Sequence, residues 1–413
     1  KRRGLTQPKG FERLMDSPRD SAAVRSRFAL FAYGFRPFFL LAGLAAALEL
    51  GPWLYVIAGG AWPGGMPPAA VWHGHEMLFG MAAAAVAGFL LTAVPNWTGR
   101  PGYAGTPLIM LFVLWLAGRL AFAGYGLLPP GVAAALDLSF FPALGLLLLP
   151  ALLRGGRRNL VFLIFMALLF TANLLVHLQL AGAAVTARTG LMLAVNTLVL
   201  MISVVGGRIV PSFTANALRR RDPAVKMPAR GALDTAAIGS LALVLVMDLV
   251  RPGSVAAGWL ALGAACLQAL RLARWKGLRT LDIPIVWVLH LAYAWLVIGL
   301  ALKGVAVLTG WPAVQGWLHA LTAGTIGMMI LGVMTRAALG HTGRPLVAAP
   351  PVVAAYGFVG FAAALRVAGP ALPHGWYAAS ALAAGAAWTL AFVLYLIVYT
   401  PILIRPRLDG KPG

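Results

Sequence analysis

Residues 71–95 read VWHGHEMLFGMAAAAVAGFLLTAVP, and they decide the fold. From Met77 to Val94 the stretch contains no charged residue. A helix needs about 20 mostly apolar residues to cross the hydrocarbon core of a bilayer, and a helix is the only single segment that satisfies its own backbone hydrogen bonds there. The stretch therefore predicts a transmembrane helix, with His73, His75 and Glu76 at one end of it.

The rest of the chain repeats this apolar pattern. Of its 413 residues, 61% are hydrophobic and 11% are charged, whereas soluble domains carry about 25% charged residues. The sequence predicts an all-α polytopic membrane protein with about twelve transmembrane helices, which we number 1 to 12 in chain order. The predicted spans are residues 37–59, 71–95, 106–126, 131–152, 160–181, 188–207, 232–250, 254–274, 284–308, 315–338, 350–368 and 376–403.

Most of the basic residues fall on one side of the predicted membrane. The formal net charge of +22 could suggest nucleic acid as a partner. With the N-terminus inside, however, 28 of the 33 lysines and arginines fall on that same side. Only Arg188, Arg251, Lys303 and Arg366 fall on the other side, and Arg119 lies within helix 3. This positive-inside pattern predicts that both termini are cytoplasmic, and it argues against a nucleic-acid partner.

One membrane domain with two short flanks is predicted. Residues 1–35 are expected to form a basic cytoplasmic segment, residues 36–405 the twelve-helix transmembrane domain and residues 406–413 a cytoplasmic tail. The single cysteine, Cys266, falls in helix 8. A disulfide or a cysteine-ligated cluster within the chain is therefore excluded.

An internal repeat relates helix 2 to helix 10. Residues 75–101 align without gaps with residues 319–345, so that His75 falls on His319 and both segments end in TGRP. Self-similarity at a fixed period indicates repeated structural units. Because helices 2 and 10 are eight spans apart, three repeats of four helices would pair them. Helix 6 would then be the middle copy, although its sequence matches poorly.

The aligned histidines suggest a haem site. Two imidazoles at matching depth could supply the two axial ligands of one haem iron. Gly80 and Gly324 lie at equal offsets from His75 and His319, and they would let a flat macrocycle approach the backbones. There is no C-x-x-C-H motif for covalent attachment, so the predicted cofactor is haem b. The alternative is that both histidines only form hydrogen bonds between helices.

A second centre is predicted on the other face of helix 2. Residues two apart on a helix point roughly 200° apart, so His73 is not expected to share a metal with His75. His73 shares a face with Glu76, and together with His177 on helix 5 they could hold copper or a second haem, since imidazole suits copper, iron and zinc. The alternative is that His73 and Glu76 are simply partners at the membrane surface.

Three more charged residues enter the predicted site. Arg119 lies within helix 3, where an isolated charge is costly. We expect it to pair with Glu49 or Asp137, or to bind a haem propionate. If the protein is an enzyme, Glu76 and Glu49 are the predicted catalytic residues, which would deliver protons from the outer side.

Short motifs spread from helix 1 to the end of helix 10 carry a family resemblance. They are FRPFF at 35–39, WHGHEM at 72–77, PNWTG at 95–99, GRIVP at 207–211 with Phe213 and Thr214, and TRAALGHTGRP at 335–345. On these motifs the chain resembles the NnrS family, and WHGHEM is the most specific of them. The resemblance implies a bacterial inner-membrane protein with haem and copper that acts in the response to nitric oxide.

A weaker resemblance concerns architecture. Haem-copper oxidases and the related nitric oxide reductases are twelve-helix bundles of three four-helix arcs, and histidines on their helices 2 and 10 hold a low-spin haem. His75 and His319 stand on those two helices. Their second metal is held by histidines on helices 6 and 7, and this chain has no histidine in either span. The resemblance implies the haem site without the binuclear site.

Three functions remain open at this point. The first is a haem protein that binds nitric oxide, protects against it, or reduces it with electrons from a partner such as quinol. The second is a proton-coupled transporter of a small solute or of copper, since buried ionisable groups also suit a carrier. The third is a sensor or chaperone that holds haem without turnover. Colour separates the first and third from the second, because a carrier without a cofactor is colourless.

Overall fold

The computed structural model describes residues 28–155 and 159–410. These residues form helices and loops, and no strand occurs among them. Twelve of the described helical segments are long and apolar enough to cross a membrane, which confirms the predicted number of spans. Residues 1–27, most of the predicted basic segment, lie outside the described residues. The twelve spans are Phe35–Ile57, Ala69–Thr98, Thr106–Ala123, Pro130–Arg154, Val161–Leu180, Ala187–Leu218, Ala232–Val250, Val255–Ala273, Pro284–Thr309, Pro312–His341, Pro350–Ala371 and Tyr377–Ile404.

The helices pack into a closed bundle. Helix 5 packs against helix 6, helix 8 against helix 9 and helix 11 against helix 12, and helix 1 closes the bundle by packing against helices 2 and 12. An even number of spans places both ends of the membrane domain on the same face, as the charge pattern predicts. The assignment of that face to the cytoplasm stays a prediction.

Helices 2, 6 and 10 form the interior of the bundle. In their most apolar windows 83%, 89% and 67% of residues are buried, against 22% in helix 7. These three helices are four spans apart, which is the spacing that three four-helix repeats would give to equivalent helices. The threefold repeat itself stays a prediction.

Helices 2 and 10 contain matching π-helical segments. Helix 2 is π-helical over Glu76–Ala82 and helix 10 over Ala320–Gly327. Each segment begins directly after the aligned histidine, His75 in one helix and His319 in the other. A π-helical turn is wider than an α-helical turn and leaves backbone groups open to other partners, which is why such turns are frequent at functional sites. The shared distortion supports the pairing of helix 2 with helix 10.

Arg36 of the FRPFF motif joins helix 1 to the end of helix 12. Its side chain is fully buried, and Nη1 donates to the carbonyl oxygens of Leu403 at 2.8 Å and of Arg405 at 2.7 Å. The last carbonyls of a helix lack partners within the helix, and a positive charge is favourable at that end. Arg36 therefore caps helix 12 and fixes the closure of the bundle.

Candidate functional site

Six buried polar side chains meet between helices 2, 3, 4 and 5. Each of the six is less than one-tenth exposed, although all lie within membrane-spanning segments. Ionisable groups at such depth are rare, and they usually mark a functional site. We call these six residues the charge cluster: His75, Glu76, Arg119, Asp137, Asn173 and His177.

His75 is the centre of the charge cluster. Its Nδ1 lies 3.0 Å from Oε1 of Glu76, and its Nε2 lies 3.0 Å from Oδ2 of Asp137 and 2.9 Å from Oδ1 of Asn173. The imidazole also stacks on the ring of Phe122, with 3.6 Å between centroids and 13° between planes. Both ring nitrogens of His75 are therefore engaged by protein groups.

Arg119 pairs with both carboxyl groups of the charge cluster. Its Nη1 donates to Oε1 of Glu76 at 2.6 Å, and its Nη2 forms an ion pair with Asp137. Of the two partners expected from the sequence, Asp137 is found; the second partner is Glu76 instead of Glu49. A buried charge is tolerated when it is paired and hydrogen-bonded in this way.

Part of the charge cluster has the donors of a metal site. Ligand atoms of His75, Asp137 and His177 all lie within 4.8 Å of one another, and Nε2 of His177 lies 2.8 Å from Oδ2 of Asp137. Imidazole and carboxylate together suit first-row transition metals. The structure thus brings His177 together with His75 and Asp137.

A cavity of about 410 Å³ lies on the opposite side of helix 2. Its volume falls within the range of about 300–1,000 Å³ that is usual for small-molecule and cofactor sites. Helices 1, 2, 6, 10, 11 and 12 enclose it, and His73, His319 and Arg366 are among its polar residues. We call it the His73–His319 cavity. Its apolar walls include Leu50, Trp53, Met77, Met81, Met192, Val195, Ile326 and Trp388.

Two polar side chains of the cavity have nitrogen atoms without a hydrogen-bond partner among the described residues. The imidazole of His73 stacks on Trp53 with 5.2 Å between centroids, and its Nδ1 is buried without a hydrogen-bond partner among the described residues. Arg366 donates from Nη2 to Nε2 of His319 at 3.2 Å and to the hydroxyl of Tyr377 at 3.3 Å. Its Nη1 is also buried without a partner in the described part of the chain. Nε2 of His319 accepts the hydrogen bond from Arg366 with its single lone pair, so a metal would bind there in place of this hydrogen bond.

The structure therefore pairs the predicted histidines differently. His319 lines the same cavity as His73, whereas His75 is hydrogen-bonded within the charge cluster and is not among the lining residues. The predicted axial pair of His75 and His319 is not brought together, and neither is the predicted second centre of His73, Glu76 and His177. The expectation that His73 and His75 serve two sites on opposite faces of helix 2 agrees with the geometry.

The two glycines of the repeat make room for side chains. A Cβ added to Gly80 would lie 2.5 Å from Oε2 of Glu49, and a Cβ added to Gly324 would lie 2.6 Å from the indole of Trp295. Neither glycine lines the His73–His319 cavity. Gly80 thus seats the Glu49 carboxyl group beside helix 2, while the carbonyl of Gly80 accepts a hydrogen bond from the indole of Trp115 at 3.1 Å.

Replacing Gly80 by alanine is expected to displace the Glu49 carboxyl group. Overpacking destabilises a protein by about 1–3 kcal/mol, and the lower end of this range is expected here because the atoms in the way belong to the end of the Glu49 side chain. The thermal unfolding midpoint in detergent should fall by a correspondingly small amount. Gly51→Ala is the matched control, because no atom lies within 4 Å of a Cβ added there. Equal midpoints for the two variants would contradict the assigned role of Gly80.

Several site residues were missed or understated by sequence reasoning. Arg366 was noted only as a charge on the outer side, and Asp137 only as a partner for Arg119. Asn173 forms hydrogen bonds between helices, with His75 and Asp137. The usable signal for Arg366 was an arginine inside predicted helix 11, where a charge needs a reason.

Comparison with known proteins agrees with the resemblance carried by the motifs. The model of one protein family, described as NnrS protein, matches residues 29–407, which is nearly the whole chain. No curated protein matches the chain. The matched range includes all twelve spans, the charge cluster and the His73–His319 cavity.

Proposed function

The chain belongs to the NnrS family, and from this membership and the geometry of the His73–His319 cavity we propose that it is a haem-containing bacterial inner-membrane protein that binds or reduces nitric oxide. The observation that carries the proposal is a pair of histidines in one apolar cavity with an arginine beside them. This combination suits haem, because the apolar walls would enclose the macrocycle, an imidazole would bind the iron and a cation would pair with the carboxylates.

The residues that would hold haem b are His73, His319 and Arg366. His73 offers a buried, unpartnered Nδ1 and is oriented by its stacking on Trp53. His319 offers Nε2, which is unprotonated but accepts a hydrogen bond from Arg366, so Arg366 would have to release this contact for Nε2 to bind iron. Arg366 has one buried nitrogen without a partner, which suits a carboxylate ligand. A haem bound there would supply an iron, and nitric oxide would bind it in place of one of the two imidazoles.

The surroundings of the cavity suit nitric oxide and its chemistry. Nitric oxide is a small uncharged gas, so apolar walls do not exclude it. Its reduction consumes protons as well as electrons, and Glu49 and Glu76 lie beside residues that line the cavity, Leu50 and Met77. Oε2 of Glu49 is buried without a partner among the described residues. These two glutamates are our candidates for holding and passing protons, with quinol as the proposed electron donor.

The charge cluster is the proposed second metal site. Glu76 and Asp137 present two carboxyl groups against the single guanidinium group of Arg119. One further positive charge would balance the cluster, and either a proton or a cuprous ion could supply it. His75, Asp137 and His177 would be the ligands. Because imidazole is a good ligand for copper, we assign copper to this position.

The test is the visible spectrum of detergent-purified protein produced with an adequate haem supply, with iron and copper counted in the same sample. We expect b-type haem bands on reduction by dithionite and a spectral shift on addition of nitric oxide. Copper that is retained through gel filtration would support the second site. A colourless, metal-free but folded protein would overturn the proposal and favour the hypothesis of a proton-coupled transporter.

A further inference from the structure

A second polar pocket lies at the other end of the bundle, far along helix 6 from the His73–His319 cavity. It has a volume of about 80 Å³. The end of helix 8, the first turn of helix 7 and the second half of helix 6 enclose it. Four arginines and one carboxylate are among its lining residues: Arg208, Arg230, Arg271, Arg274 and Asp234. Even without Arg208, three arginines outnumber the single carboxylate, and an anion would neutralise this surplus of positive charge.

Arg271 is held in a fixed position at this pocket by several hydrogen bonds. Its side chain is 2% exposed. Nε donates to Oδ1 of Asp234 at 2.8 Å, and Nη1 donates to the carbonyl and the hydroxyl of Ser203, both at 2.9 Å, and to the hydroxyl of Tyr293 at 3.0 Å. These contacts fix the plane of the guanidinium group, which also lies over Trp275 with 5.5 Å to the ring centroid.

One nitrogen of this fixed guanidinium group is left for a ligand. No partner among the described residues binds Nη2 of Arg271, which lies directly against Gly207 at the wall of the pocket. Any side chain at position 207 would occupy the place of Nη2, so only glycine allows this approach. The Gly-Arg pair of the GRIVP motif therefore has a physical role: Gly207 admits Arg271, and Arg208 adds a second guanidinium group.

We propose that this pocket binds a phosphate group. Arginine is preferred for phosphate because its planar array of donors matches the phosphate oxygens, and charge-assisted hydrogen bonds of this kind are the strong ones. The pocket lies at the face that the charge pattern assigns to the cytoplasm, where basic pockets between transmembrane helices bind anionic lipid headgroups. The phosphate group can come from such a headgroup or from inorganic phosphate in solution.

Two binding measurements on the full-length protein in a zwitterionic detergent test the proposal. Equilibrium dialysis with radiolabelled inorganic phosphate reports the soluble ligand, and native mass spectrometry with short-chain phosphatidylglycerol reports the lipid. Arg230→Gln combined with Arg274→Gln removes the two exposed arginines of the pocket. Because each of these arginines can supply a charge-assisted hydrogen bond, we expect the double variant to bind at least about tenfold more weakly.

A matched control removes two exposed arginines elsewhere on the same predicted side, Arg154→Gln with Arg405→Gln, and is expected to bind like the wild type. Gly207→Ala is a third variant, which displaces Arg271 without changing the net charge. Binding of phosphatidylglycerol alone identifies a lipid site, and binding of inorganic phosphate alone identifies a soluble ligand. Absence of both from the wild-type protein, or equal affinity in the pocket and control variants, would overturn the proposal.

Discussion

Replacing His319 by alanine is expected to remove haem from the purified protein, and His73→Ala is expected to do the same. Each substitution deletes one of the two imidazoles in the His73–His319 cavity. Loss of a group that only hydrogen-bonds to a metal ligand weakens metal binding by about 10–100-fold. Loss of the ligand itself should therefore weaken haem binding by about 100-fold or more. The haem-to-protein ratio of the gel-filtration peak measures this directly.

His75→Gln is the decisive comparison for this prediction. It keeps a hydrogen-bonding side chain in the charge cluster, and it is expected to retain haem because His75 does not line the cavity. Free imidazole added to His319→Ala should restore the haem bands, since the deleted ring leaves space of that shape. A protein that loses haem with His75→Gln and keeps it with His73→Ala would return the axial pair to His75 and His319.

The repeat explains why sequence reasoning paired two histidines that the structure places in separate surroundings. Aligned residues in rotationally related repeats occupy equivalent places in their own repeats. His75 on helix 2 contacts Glu76 and Asp137, the two residues that pair with Arg119 on helix 3. His319 on helix 10 accepts a hydrogen bond from Arg366 on helix 11. Register therefore predicts equivalent surroundings, and it does not predict that the two aligned side chains face each other.

The number of spans was predictable because the bilayer imposes a length and a composition on every helix. The site was less predictable, since it depends on which helix faces which. Asp137 illustrates the limit: a carboxylate in helix 4 could be identified as costly, but only the packing of helices 2, 3 and 5 around it shows that it binds Arg119, His75 and His177 together. The π-helical segments after both histidines could not be predicted either, because an apolar pattern is compared with the α-helical period of 3.6 residues and not with the wider π-helical turn.

The second large effect is expected from Arg119→Met, which should destabilise the protein by about 3–5 kcal/mol, because one partner of a buried ion pair is removed and the other is left uncompensated. Here the loss strands two carboxylates, those of Glu76 and Asp137, at sites that are 2% and 3% exposed. A large fall in the thermal unfolding midpoint and in the yield of monodisperse protein should report this. Arg188→Met, an exposed arginine on the same predicted side, is the control and should change neither.

A compensating variant separates charge from packing. If stranded charge is the cause, Arg119→Met combined with Glu76→Gln and Asp137→Asn should recover most of the lost stability, since a neutral, well-packed replacement of a buried ion network is often tolerated. If the triple variant is no more stable than Arg119→Met, the guanidinium group acts by filling space and by its contact with Trp115. The triple variant should also fail to retain copper, because Asp137 has lost its charge, while its haem content stays that of the wild type. If this variant retained copper, the charge cluster would not be the copper site, and its role would be to stabilise the packing of helix 2.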